Sequence, residues 1–160
     1  MSSLVLVASP WPLTDVAQAV GRVVADKLAS RSVQFQARPD LGIYDLVVLV
    51  APTLALADPS FLAFVAERGL AGKTLALLTD APPALGALLF GPWCLAVEQG
   101  TGATWWADPL HLGPWSNLAL RPQATAGTLA AAETWAAQLA EAHPPRTYPH
   151  GPAGRRRFDA

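Results

Sequence analysis

Short, wholly apolar runs alternate along this chain with longer stretches in which apolar residues recur every three or four positions. Leu4-Val-Leu-Val-Ala8 reads as a buried strand, and Val16, Val20, Val23, Val24 and Leu28 then recur at helical spacing through residues 14–29. Thr14 or Asp15 can cap that helix, because either side-chain oxygen accepts from a first-turn N–H that has no helical partner. Residues 32–36 form a short candidate strand with Val33 and Phe35 on one face. Residues 44–50, Tyr-Asp-Leu-Val-Val-Leu-Val, are the strongest strand signal and belong at the centre of a parallel sheet, covered on both faces. Pro59 suits a first helical turn after Asp58, and Phe61, Leu62, Phe64 and Val65 give that helix its apolar side up to Gly69. Gly72-Lys73 turns into Thr74-Leu-Ala-Leu-Leu78, another buried strand. Residues 84–99 read as helix, interrupted or restarted at Gly91-Pro92, and residues 103–107 and 110–112 as strand, separated at Asp108-Pro109. The last helix covers residues 125–142, with Leu129, Ala132, Trp135, Ala136 and Leu139 on one face. This order, β α β β α β α β α, predicts a three-layer α/β/α sandwich around a five-stranded, mostly parallel sheet. From Pro144 periodicity stops and prolines crowd in, so residues 1–143 read as the domain and 144–160 as an extended or disordered tail.

At 160 residues the chain suits one domain, burying roughly 70% of the surface of its unfolded form. Apolar residues make up 52% and charged residues 14%, a balance that predicts a sticky protein whose surplus apolar surface a homo-oligomer would hide. A formal net charge of -1 supplies no field for nucleic acid or an anionic membrane. The first apolar run has no basic residue ahead of it and is too short for a secretory signal, so the expected location is the cytoplasm. Cys94 is the one cysteine, which excludes an internal disulfide or a cysteine metal cluster and reads as a small buried hydrophobe.

Three segments carry a family resemblance. They are the strand leading into Ser9-Pro-Trp-Pro-Leu-Thr14 and a helix, then Tyr44-Asp-Leu-Val-Val-Leu-Val-Ala-Pro-Thr53, then Leu70-Ala-Gly-Lys-Thr-Leu-Ala-Leu-Leu-Thr79. Their order and spacing, over about residues 3–142, resemble the flavodoxin-like superfamily, including the NAD(P)H-dependent FMN reductases. The resemblance implies a flavodoxin-like fold, FMN as cofactor and oxidoreductase chemistry carried by the flavin, with no catalytic side chain and no metal. It places Ser9 and Thr14 at the first and last hydroxyl positions of the family's phosphate loop. There, hydroxyls and free N–H groups at a helix N-terminus would favour an anion. Pro10, Trp11, Pro12 and Leu13 depart from the pattern: the prolines each remove a donor and Trp11 adds bulk, so the loop is degenerate. By the same resemblance Pro52 and Thr53 help to hold the cofactor, Trp11 or Leu54 packs on or near its ring, and Leu13 is a further cofactor-binding position of the first loop. Asp80 would lie at the carboxyl end of a strand on the ligand side, with helix N-cap as its competing role.

Other residues invite chemistry less strongly. Trp11, Trp93, Trp105, Trp106 and Trp115 fall near loops or strand ends; ordinary core packing is the first expectation for each, with an aromatic pocket or a dimer seam as the alternative, and Trp135 belongs to the core. His111 with Asp108 has the chemistry of an oriented imidazole but no nucleophile motif beside it. His143 and His150 match no metal spacing, and Arg155-Arg-Arg157 reads as a solvated tail. Two functions follow: an FMN-dependent oxidoreductase using NAD(P)H, or a flavodoxin-like domain that has lost FMN and persists as a homodimeric binding or structural protein.

Overall fold

The computed structural model describes residues 2–8, 15–66, 69–113 and 125–144. Ten regular elements follow one another: β1 (Ser3–Val7), α1 (Asp15–Lys27), β2 (Arg31–Gln34), β3 (Leu46–Ala51), α2 (Pro59–Ala66), β4 (Thr74–Thr79), α3 (Pro83–Thr101), β5 (Thr104–Trp105), β6 (Leu110–His111) and α4 (Ala126–Ala142). The sheet order is β2-β1-β3-β4-β5, with β6 also pairing β4, and every pairing is parallel. The expected five positions are present, and the outermost is split. Thr74 pairs with Thr104 but Leu78 with Leu110, so the outer strand uses two residues more than its neighbour over the same span. Ala107 takes φ 52 within that bulge, which is why the apolar run from Ala103 onward yields two-residue strands instead of one longer one.

Continuous apolar runs are what a sheet covered on both faces requires. Leu4, Leu6, Val47, Leu49, Leu75 and Leu77 face Phe61, Phe64, Phe90 and Val97 of α2 and α3. Val5, Val7, Val48, Val50, Ala76 and Leu78 face Val16, Val20 and Val24 of α1 and Ala132, Trp135, Ala136 and Leu139 of α4. Close approach of α1 to the sheet depends on Gly21, where a Cβ would stand 2.6 Å from Val7 Cγ2.

Two expectations are corrected. The second strand starts at Arg31 and ends at Gln34; Phe35 instead opens a turn of 3₁₀ helix whose C-cap, Arg38, is left-handed at φ 48. Phe35 still reaches the core Val33 packs on, so the inward face is kept while pairing stops. The helix of residues 84–99 is neither interrupted nor restarted: α3 runs through Pro92 for 19 residues. Phe90 and Val97 hold it on the core from either side of the proline, and that packing outweighs one missing backbone bond. The described tryptophans pack against the core, the reading expected first. Trp93 stacks within 6.4 Å of Phe61, Phe90 and Trp105, Trp105 Nε1 donates to the Cys94 carbonyl at 2.8 Å, and Trp106 packs on Trp135, itself in the core as expected. Trp11 and Trp115 lie outside the described residues.

Candidate functional site

The carboxyl ends of β1, β3 and β4 lie side by side, with Val7 against Val50 and Ala51 against Thr79. From β1 the chain passes to β2 on one flank, while β3 lies on the other, so the segments leaving the strand ends diverge. Open α/β sheets bind ligands in the crevice this divergence leaves. Ala8 donates its N–H to the Val50 carbonyl at 2.9 Å, so the first loop departs from beside β3. Ser9, Trp11, Leu13 and Thr14 of that loop lie outside the described residues.

Pro52, Thr53, Leu54 and Asp80 are brought together. Pro52 caps a 3₁₀ turn, Thr53–Ala57, that follows β3 directly. Ala55 is buried beneath it while Leu54 stands 66% exposed. The Thr53 N–H and hydroxyl both donate to Asp80 Oδ1, each at 2.6 Å. A single half-buried carboxylate oxygen therefore ties the loop after β3 to the loop after β4. Asp80 is not the N-cap of α3: that position is Pro82, with no side-chain cap bond.

The sequence did not disclose the neighbour of this bridge. Thr79, wholly buried at the end of β4, places Oγ1 2.7 Å from His111 Nδ1 on β6 and accepts the Ala81 N–H at 3.2 Å. Thr79 Oγ1 and His111 Nδ1 share one hydrogen bond, in which the imidazole tautomer decides the donor, since a hydroxyl that accepts from Ala81 can still either donate or accept. Burial pushes the imidazole pKa below its ordinary value. The ring lies 6.0 Å from Phe90 and directly against Gly86 of α3. Asp108, the partner expected from spacing, makes no bond to it among the described residues. Pairing of β6 with β4 in register is the signal that joins Thr79 to His111, and it exists only once the sheet is assembled. Cys94 is half-buried and its thiol is pushed up to about 11 by burial, so it is a packing residue and a poor nucleophile.

No protein-family model matches the chain, and no curated protein matches it in sequence. Solved structures do. A flavodoxin from Streptococcus pneumonia TIGR4 superimposes with a TM-score of 0.65 at 16% identity, covering 89% of this chain and 99% of that one. The fold is flavodoxin-like. Flavodoxin 1 from Bacillus cereus gives a TM-score of 0.62 at 14% identity over 88% of this chain and 98% of its own, and a WrbA-like flavodoxin from Agrobacterium tumefaciens gives 0.55 at 16% over 88% and 96%. A Fusobacterium nucleatum flavodoxin, solved bound to flavin mononucleotide, gives 0.58 at 12% over 89% and 99%. At these strand ends Leu54 offers an exposed apolar surface, and Asp80 keeps a second carboxylate oxygen able to accept a hydrogen bond.

Proposed function

We propose that the protein binds FMN in the crevice above β1, β3 and β4 and works as an oxidoreductase of the NAD(P)H-dependent FMN reductase type. The observation that carries this reading is the bridged pair of loops, Thr53 to Asp80, standing beside exposed Leu54 at the strand ends. Ser9 and Thr14 would hold the phosphate, Trp11 and Leu13 would pack nearby, and Pro52, Thr53, Leu54 and Asp80 would frame the ring. When bound, the flavin supplies the electron transfer; the chain supplies placement, shielding and the charge beside the ring. Thr53 has both donors committed to Asp80, so this loop recognises the ring through the carboxylate and not through the threonine. A negative charge there disfavours an anionic reduced flavin. NAD(P)H as electron donor, a cytoplasmic location and self-association complete the proposal.

A second reading has its own motive. Pro10 and Pro12 withhold two N–H groups from the phosphate loop, and each lost charge-assisted bond costs about 1.5–3 kcal/mol. On that reading the domain has lost FMN and serves as a binding protein. Titration of the purified chain with FMN, followed by flavin and tryptophan fluorescence, separates the two. Saturable micromolar binding, weakened by Ser9→Ala with Thr14→Ala, supports the flavin reading. Absence of saturation at hundreds of micromolar overturns it.

A further inference from the structure

From Pro83 to Val97, fifteen residues of α3 contain no charged or polar side chain. A helix apolar on every side belongs in an interior, yet only Gly86, Phe90 and Val97 of α3 are buried, with Trp93 and Cys94 partly so. The opposite side faces out. Leu85, Leu88, Leu89 and Leu95 are 49%, 75%, 41% and 54% exposed, and they are four of the six large hydrophobic residues exposed among those described. Small neighbours, Ala84, Ala87, Gly91 and Ala96, let another backbone come close; a Cβ at Gly91 would meet nothing within 4 Å.

We infer that this face is a homodimer seam, covered by α3 of a second copy running antiparallel to it. The order of side chains is self-complementary. Leu85 and Leu95 stand equally far on either side of position 90, as do Leu88 and Pro92. A two-fold axis near position 90 therefore sets leucine against leucine at the ends and leucine against proline in the middle, the matched pairing an isologous contact demands. Charge points to the same occupant. Any contact between copies brings like charges together when its face carries them, and this one carries none across the seam; a partner of different kind would ordinarily be met by a charged or polar rim. The site lies beside the outer edge of the sheet, since α3 packs on β5 and β6. One helix pair is a small interface, so the dimer is reversible, with a dissociation constant in the micromolar range. This seam does not depend on the flavin reading, and it gives the proposed self-association a place other than the described tryptophans, which pack against the core.

Sedimentation velocity of the full chain from about 1 to 200 µM, with and without FMN, tests the seam. A monomer–dimer equilibrium is expected. Leu88→Glu and Leu88→Lys should each weaken it at least ten-fold while circular dichroism stays unchanged, and mixing the two variants should restore dimer. Ile43→Glu, at a residue 65% exposed elsewhere on the surface, should leave it intact. A monomer at every concentration overturns the inference, as does a dimer indifferent to Leu88→Glu. Monomeric wild-type protein that floats with phosphatidylcholine vesicles assigns the face to a lipid surface and overturns it too. FMN binding is read separately in the same samples, so loss of the seam and loss of the flavin site are told apart.

Discussion

A Cβ on Gly86 would lie 2.2 Å from two atoms of the His111 ring, and the ring cannot swing aside without releasing Thr79 Oγ1, held at 2.7 Å. Overpacking of this kind costs about 1–3 kcal/mol, partly offset by the roughly 1 kcal/mol that Ala gains over Gly in a helix. Gly86→Ala should therefore lower stability in urea by up to about 2 kcal/mol, and His111→Ala in the same chain should relieve most of that loss. Additive losses in the double variant would show that helix and imidazole are not in contact. His111 also sets a pH dependence. Because burial lowers its folded pKa below the unfolded value, the unfolded chain binds more protons between those two values, so stability falls as pH drops from about 6.5 towards the folded pKa and is unaffected above that window. Thermal unfolding of wild type and His111→Asn across pH 4–8 should show a shallower acid decline in the variant. Equal slopes would remove His111 from the acid response.

At the scale of elements, what could be read from the sequence follows from what each pattern depends on. β3 and β4 were legible because a strand buried on both faces is apolar along its run, throughout β3 and between the terminal threonines of β4, a local fact. α3 was legible in extent but not in continuity. Proline inside a helix is a local penalty, whereas the packing of Phe90 and Val97 that overrides it is set by the assembled core. The site divided in the same way. The resemblance of their segments put Pro52, Thr53, Leu54 and Asp80 at strand ends, where the structure also has them, but the bridge between Thr53 and Asp80, 27 residues apart, and the pairing of Thr79 with His111 arise only from adjacent strand ends. Pro92 gives this distinction a test. Its side chain is on the exposed face of α3, so Pro92→Ala should restore a backbone bond with little packing lost and stabilise the monomer by about 1–3 kcal/mol. Calorimetry at low concentration should find the rise; a lower midpoint would mean that the proline ring supports the fold.

Across the described residues a doubly paired, buried centre lies beneath a less paired rim, and the candidate site stands at that rim. β3 pairs with β4 over all six of its residues and with β1 over five, and is buried at every one, whereas β5 and β6 are two-residue pieces bonded to β4 alone among the described strands, with a bulge between them. Local opening follows burial and pairing, so backbone amides of Leu46–Ala51 and Thr74–Thr79 should exchange with solvent slowest and those of β5 and β6 much faster. The loops at Thr53 and Asp80 should fall between, held by one carboxylate oxygen. Asp80→Ala then becomes a test of how the scaffold presents its crevice. It should speed exchange at Thr53 through Ala57 by at least ten-fold, since the N–H of Thr53 loses its acceptor, while β3 directly before it stays protected. FMN added to wild type should slow the same loops, and β3 with them, because global unfolding also releases the ligand. Protection that rises over β3 while neither loop changes would place any bound flavin away from Thr53 and Asp80.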